Sequence, residues 1–264
     1  MSIPSPAPGD GEVRVEVGAA TDRGLRREGN EDAYLAEAPV YLVADGMGGY
    51  DAGDRASAAV VDAFRDVVAG RADADVGLVA DALLAAGDRV ARVAANTLRG
   101  AGSTVAGAVL VRHEGTPHWL VFNVGDSRVY RFAGGALDQL TVDHSLGQAM
   151  VSRGQLRPED LATFPGRNVI TRAIGASDSM ADSWLVPVSR GERLLVCSDG
   201  LHSEVGHAAI REVLARDGDP EETARELVDL ANANGGRDNI TVVVVDVVGG
   251  GGDYADTLPT GLAR

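Results

Sequence analysis

Three apolar, β-branched runs in this chain each end on an aspartate. Tyr41-Leu42-Val43-Ala44 runs into Asp45, Val121-Phe122-Asn123-Val124-Gly125 into Asp126, and Leu194-Leu195-Val196-Cys197-Ser198 into Asp199. A fourth, Asp238, stands just ahead of the run that begins at Ile240. Runs of this length and composition are buried strands. A carboxylate at the mouth of such a strand is rigidly placed and partly desolvated, and several together repel one another. A hard divalent cation relieves that repulsion, and an all-oxygen donor set favours Mg²⁺, Mn²⁺ or Ca²⁺. The glycines after Asp45 and Asp199 allow tight turns and close approach of the backbone to an ion. Taken singly, each of these aspartates could equally close a hairpin. Four at strand edges in one domain point to a shared site, which only the fold can assemble.

The same runs define the architecture. Strands are predicted at 13–17, 40–44, 104–111, 119–124, 193–198 and 240–248. Helical spacing appears instead at 53–69 (Val60, Val61, Phe64, Val67, Val68) and at 76–93 (Val76, Val79, Leu83, Ala86, Val90, Val93). A third helix has Asp219 as N-cap, Pro220 at its first position, Glu222 three residues after the cap, and a stop at Gly235-Gly236. The two early helices adjoin, and strands otherwise follow strands. That order predicts an α+β domain of antiparallel sheets covered by helices, not alternating βαβ units. Residues 1–11 and 249–264, rich in Pro, Gly and Ser or lacking any period, are expected to be disordered tails around a folded body at 12–248.

Composition removes several function classes. With 24 basic against 39 acidic residues, the net charge of −15 argues against a nucleic-acid or anionic-membrane partner. All the strong bases are arginines, which excludes P-loop, Schiff-base and general-base lysines. No run approaches the roughly 20 apolar residues of a membrane helix, and the first residues show no secretion leader. One cysteine, Cys197, precludes an internal disulfide, and the expected compartment is the cytoplasm. Cys197 sits in an apolar strand with no arginine in the loop that follows, so it is expected to be an inert thiol. Five scattered histidines give no zinc spacing.

Further segments fall into a fixed order with the four aspartates. They are Thr21-Asp22-Arg23-Gly24, Arg27, Asn30-Glu31-Asp32, Asp45-Gly46-Met47-Gly48-Gly49, Gly102-Ser103-Thr104, Gly125-Asp126-Ser127-Arg128, Asp143-His144-Ser145, Ile170-Thr171-Arg172-Ala173-Ile174-Gly175, Ser198-Asp199-Gly200 and Arg237-Asp238-Asn239-Ile240-Thr241. In that order they resemble the type 2C (PPM) protein phosphatases in their bacterial single-domain form, across nearly the whole folded body. The resemblance implies a four-layer αββα fold: a central β-sandwich of two antiparallel sheets, flanked by helices on both sides, with the metal site at one end. It implies two ions, Mn²⁺ or Mg²⁺, with Asp45 bridging them, the Gly46 carbonyl binding one, and Asp199 and Asp238 completing the set. Asp126 would join Asp199 around a third, weaker ion. Glu31 and Asp32 would act through metal-bound waters, and Asp22 and Asn239 would orient the ligands.

The implied activity is hydrolysis of phosphoserine and phosphothreonine in proteins by a metal-bridging hydroxide. Paired cations can generate such a nucleophile near neutral pH, and the planar fork of Arg27 suits a phosphate clamp. The expected partners are phosphorylated proteins, a cytoplasmic Ser/Thr kinase or its substrates, acted on by a monomer. A metabolite phosphatase and a catalytically weak regulatory relative are the alternatives. Two departures stand out. Many relatives have a histidine after the bridging Asp-Gly and many bacterial ones have another after the Gly-Gly; this chain has Met47 and Tyr50. A water on the metal centre is therefore expected to protonate the leaving group, with Tyr50 helping to position substrate. Residues 147–167 fall where the family has a variable flap that shapes substrate choice.

Overall fold

The computed structural model describes residues 12–48, 52–71, 74–98 and 100–252. Its strands are β1 (Arg14–Asp22), β2 (Asp32–Glu37), β3 (Val40–Gly48), β4 (Ala101–Ser103), β5 (Val105–His113), β6 (Thr116–Val124), β7 (Arg128–Ala133), β8 (Ala136–Gln139), β9 (Asp182–Pro187), β10 (Arg193–Cys197) and β11 (Ile240–Gly249). Its helices are α1 (Ala52–Val67), α2 (Val76–Ala94), α3 (Leu146–Ser152), α4 (Asp199–His202), α5 (His207–Leu214) and α6 (Pro220–Ala233), with a 3₁₀ turn at Pro158–Thr163. One sheet runs β1-β11-β10-β7-β8; the other runs β2-β3-β5-β6-β9, with β4 beside β3. All pairings between these strands are antiparallel. Among the described residues no helix is long and apolar enough to cross a membrane.

The continuous apolar runs are explained by burial on both faces. Alternate residues of a strand point to opposite faces of its sheet. Along β3, Val40, Leu42 and Ala44 pack under α1 and α2, whereas Tyr41 and Val43 fill the gap between the sheets. Along β11, Ile240, Val242 and Val244 pack under α4–α6, whereas Val243, Val245 and Val247 face the same gap. Three cores thus separate four layers, helices–sheet–sheet–helices. The gap is closed by Trp119, whose indole N–H donates to buried Glu192 at 2.7 Å and whose ring meets Tyr41 edge-on.

Local signals set the helices. Asp75 caps α2 by accepting the Leu78 N–H at 2.9 Å, and Asp219 caps α6 by accepting the Glu221 and Glu222 N–H groups at 2.8 and 3.3 Å. Pro220 opens α6 as its fixed φ favours. Of the apolar positions expected on α2, Val79, Ala86 and Val90 are buried; Val76 is 51% exposed.

The antiparallel register gathers the site. Asp22 at the end of β1 pairs with Ile240 at the start of β11, Cys197 at the end of β10 with Val242, and Asp32 at the start of β2 with Asp45 near the end of β3. Val124 at the end of β6 lies opposite Val105 at the start of β5. Each sheet therefore delivers its acids to one end. The two ends meet where Ser198 Oγ donates to Asp32 Oδ2 at 2.8 Å and Asn239 Oδ1 accepts the Glu31 N–H at 2.8 Å.

The ordered ladder runs beyond the expected boundary at 248. β11 continues to Gly249, Gly252 N donates to the Val188 carbonyl and the Gly252 carbonyl accepts the Arg190 N–H, both at 2.9 Å. The tail expected at 1–11, and residues 253–264 of the one expected at 249–264, lie outside the described residues. Each of these hydrogen bonds contributes about 1 kcal/mol. A chain ending at Val248 should therefore melt about 4–8 °C below one ending at Gly252, by differential scanning calorimetry; equal melting temperatures would show that the glycine extension adds nothing.

Candidate metal centre

Asp45 lies on the same face of β3 as Tyr41 and Val43, so its carboxylate projects into the end of the gap between the sheets. Its backbone is held firmly. Asp45 N donates to Thr104 Oγ1 at 3.0 Å, and its carbonyl accepts from Thr104 N at 2.9 Å and Ser103 Oγ at 3.2 Å. Thr104 is in turn hydrogen-bonded to Ser127 Oγ at 2.7 Å. Gly46 follows where no side chain fits, since a Cβ there would lie 2.0 Å from the Gly53 carbonyl oxygen in the first turn of α1. Asp126 is buried beside this shelf, its carbonyl facing His202 Nε2 at 3.0 Å. Burial pushes the His202 imidazole down to about 3, so it is neutral and donates there.

The acids burden one another. Burial is the largest cause for each, and the charge of its neighbours raises each further. Asp126 is pushed up to about 8, with Asp199 as the main repelling neighbour. Asp32 rises to about 7 despite hydroxyl hydrogen bonds from Thr241 and Ser198. Asp199 rises to about 6, repelled by Asp238. Asp45 stands well above its ordinary value, with Asp32, Asp199, Asp126 and Asp238 all acting on it. Asp32 Oδ1 and Asp126 Oδ1 are buried without a hydrogen-bond partner.

Among the described residues no three acid, histidine or cysteine side chains stand close enough to form a ready-made cage. The carboxylates are instead neighbours in one electrostatic field. Orphaned carboxylate oxygens, mutual repulsion and an all-oxygen donor set fit hard divalent cations.

The remaining residues named from the sequence occupy the rim. Arg27 Nη2 donates to Asp238 Oδ2 at 2.7 Å, with the two side chains 49% and 34% exposed. Glu31 lies over Gly53 at the start of α1; a Cβ on that glycine would come within 2.5 Å of Glu31 Oε1. Burial lifts its carboxyl, Arg27 lowers it and Asp54 raises it again. Asn239 holds the 23–31 segment at three points, since besides Glu31 its Nδ2 donates to the carbonyls of Arg23 and Gly29, both at 2.9 Å. Asp22 caps its own turn by accepting the Gly24 N–H at 2.8 Å. A cavity of about 180 Å³ opens here between Arg27, Asn30, Glu31, Asp54 and Asn239.

Met47 is half-buried on β3 opposite Gly102. Tyr50 lies outside the described residues. His144 is buried with both ring nitrogens engaged. Cys197 is a buried free thiol pushed up to about 12, as an inert core residue requires. Sequence reasoning missed Asp54 and gave no role to Ser198 and Ser127. The two hydroxyls lie within quoted motifs, but Asp54 carries no local signal, because only the packing of α1 against the 23–31 segment brings it to the site.

A family model described as Protein phosphatase 2C matches residues 26–232. The chain is 36% identical over 253 residues to the serine/threonine protein phosphatase PstP of Mycobacterium tuberculosis, covering 93% of this chain and 47% of that protein, so it spans about half that relative's length. It is 33% identical over 239 residues to the serine/threonine phosphatase stp of Listeria innocua, covering 86% of this chain and 93% of that one. The crystal structure of the M. tuberculosis serine/threonine phosphatase PstP/Ppp superposes with a TM-score of 0.83 at 33% identity, covering 89% of this chain and 99% of that chain. The PstP catalytic domain in complex with two manganese ions gives 0.81 at 32%, covering 90% and 100%.

The crowded carboxyls carry a pH signature. Their unfolded counterparts titrate near 3.9, so between about pH 4 and pH 8 the folded chain holds more protons than the unfolded one. Stability then falls as pH rises. In excess chelator the melting temperature should drop from pH 5.5 to pH 8, and saturating Mn²⁺ should abolish most of that drop. A chelated protein that grows more stable across this window would refute the crowded-acid description.

Proposed function

The chain belongs to the protein phosphatase 2C family, and we propose on that footing that it is a metal-dependent serine/threonine protein phosphatase. The observation that carries the proposal is the end of the sandwich, where five mutually repelling aspartates, two of them with orphaned oxygens, adjoin a half-exposed arginine. In the proposed site Asp45, the Gly46 carbonyl, Asp199 and Asp238 hold two ions, Mn²⁺ or Mg²⁺, and Asp126 with Asp199 holds a third, weaker one. The relative solved with two manganese ions supports the count of two. When bound, the cations supply an activated water near neutral pH and neutralise charge on the phosphoryl oxygens.

The protein's own groups do the positioning. Arg27 binds the phosphate of the substrate in a bidentate fork. Its pair with Asp238 is partly exposed, and such pairs contribute only about 0–1 kcal/mol. A phosphate dianion can therefore take the guanidinium and leave Asp238 to a cation. Glu31 and Asp32 hold ordered water around the ions, Asp32 being oriented by Ser198. Asn239 fixes the loop that carries Arg27. The natural substrate we propose is a cytoplasmic Ser/Thr kinase or the proteins it phosphorylates, acted on by a monomer; the buried free Cys197 is in keeping with a reducing compartment.

Asp45→Ala, Asp199→Ala and Asp238→Ala should each abolish nearly all turnover of a phosphothreonine peptide. In chelator Asp45→Ala should melt no lower than wild type, since one repelling carboxylate is gone. Full activity in excess EDTA, or in Asp238→Ala, would rule the metal site out. Arg27→Ala should chiefly raise KM, by about 10–100-fold, the worth of a charged hydrogen bond or two; unchanged KM and kcat would remove Arg27 from phosphate binding.

The leaving serine alkoxide needs a proton, and we assign its delivery to solvent at the site. Met47 has none to give, and a tyrosine such as Tyr50 titrates near 10, too high for an efficient acid at neutral pH. Tyr50→Phe should therefore keep most of kcat on a phosphoserine peptide and on an aryl phosphate alike. A severe loss confined to phosphoserine would make Tyr50 the acid instead.

A further inference from the structure

His144 is buried between the Asp126 turn and the neck of the 146–169 excursion, and it is bonded to both. On the turn side it satisfies both polar groups of Gly125: its Nδ1 accepts the Gly125 N–H at 3.1 Å and its own N–H donates to the Gly125 carbonyl at 2.8 Å. Gly125 has a φ of 110°, and a Cβ there would meet Thr104 Cγ2 at 2.6 Å, so the turn has no room to adjust by substitution. Without its acceptor the Gly125 amide would be an orphan, at a cost of about 1–3 kcal/mol.

On the other side the excursion is pinched shut. Ser145 bridges Ile170, Leu146 N donates to the Val169 carbonyl and Thr171 N to the His144 carbonyl, both at 2.8 Å. Because Nδ1 accepts, the ring proton is on Nε2, which donates to Asp182 Oδ2 at 3.1 Å at the start of β9. Arg172 Nη1, just past the neck, lies 3.1 Å from that nitrogen and donates to Asp182 Oδ1 at 3.0 Å.

We propose that His144 is a positioning residue for the Asp126 carboxylate, holding the Gly125 turn from the neck of the 146–169 excursion, so that cation affinity at Asp126 is coupled to that neck. The proposal rests on the metal-dependent function above. A group that orients a ligand from behind typically changes metal affinity by about 10–100-fold when removed.

The test is calorimetric titration of Mn²⁺ into chelator-stripped protein, together with hydrogen exchange at the Gly125 amide. His144→Ala should weaken the lowest-affinity class of ions by about 10–100-fold and leave the tighter class unchanged, while the Gly125 amide exchanges faster. Two conservative variants separate positioning from packing. His144→Asn places an oxygen where Nδ1 was and should restore affinity and protection; His144→Gln reaches toward Asp182, offers Gly125 nothing, and should not. Wild-type isotherms in His144→Ala, or identical behaviour of the Asn and Gln variants, would overturn the proposal. Failure of the wild type itself to bind Mn²⁺ is a distinct result and would overturn it together with the function on which it rests.

Discussion

Repulsion among Asp32, Asp45, Asp126, Asp199 and Asp238 is the constraint around which the rest of this molecule is arranged. At an effective dielectric of about 20, two like charges 4 Å apart repel by about 4 kcal/mol, and a domain's whole stability is about 5–15 kcal/mol. Five ionised carboxylates at one end of a sandwich are therefore untenable without compensation. Some comes from a hydroxyl, since Ser198 donates to Asp32, while Thr104 and Ser103 hold only the backbone of Asp45. Some comes from Arg27 on Asp238. The larger part remains, and it is what makes a divalent cation a strong partner here.

That tension is sustained by cores that take no part in it. Strands buried on both faces give three apolar layers, and the carboxylates appear only where those strands run out. The opposite end carries buried charge too, but compensated. Arg193 pairs in a bidentate fork with Asp246 and donates to the Gly218 carbonyl at 2.7 Å, tying the α5–α6 connection to the sheet. Paired charge stabilises one end, and crowded like charge equips the other.

The same two-sided burial decided what could be seen in the sequence. Strands such as β3, β10 and β11 are conspicuous because both faces are apolar, and α2 and α6 announce themselves by caps and period. β7 escaped notice because Arg128 and Arg131 interrupt its apolar pattern, and their partners Asp143 and Glu192 lie 15 and 61 residues further on. β2, β8 and β9 are partly exposed strands with mixed faces, and α4 is a single turn. At the site, the aspartates were visible as strand-end acids. Their convergence was visible only through resemblance, since register across two sheets is not a local property. Asp54 and the three bonds by which Asn239 holds the 23–31 segment had no sequence signal at all.

Arg27 shows why the loop that bears it matters as much as the residue. Asn239 binds the carbonyls of Arg23 and Gly29, closing the 23–29 segment at both ends, and Leu25 N donates to the Gly236 carbonyl at 2.7 Å. Gly24 adopts a φ of 74° with its α-carbon so close to the Asp238 carbonyl that a Cβ would sit 2.1 Å from it. The backbone under Arg27 is thus fixed, and on binding the proposed phosphate only the guanidinium stem would have freedom to lose, up to about 2 kcal/mol of rotamer entropy. In the proposed site a clamp built this way would exchange one anion for another by side-chain rotation, with no loop closure. On that proposal, discrimination between phosphoproteins would come from surfaces beyond the clamp. The described residues offer two: Leu25, 66% exposed on the same rigid loop, and the 146–169 excursion anchored through His144. Both lie outside the shared chemistry of the metal site, so both are free to differ between enzymes that hydrolyse the same bond.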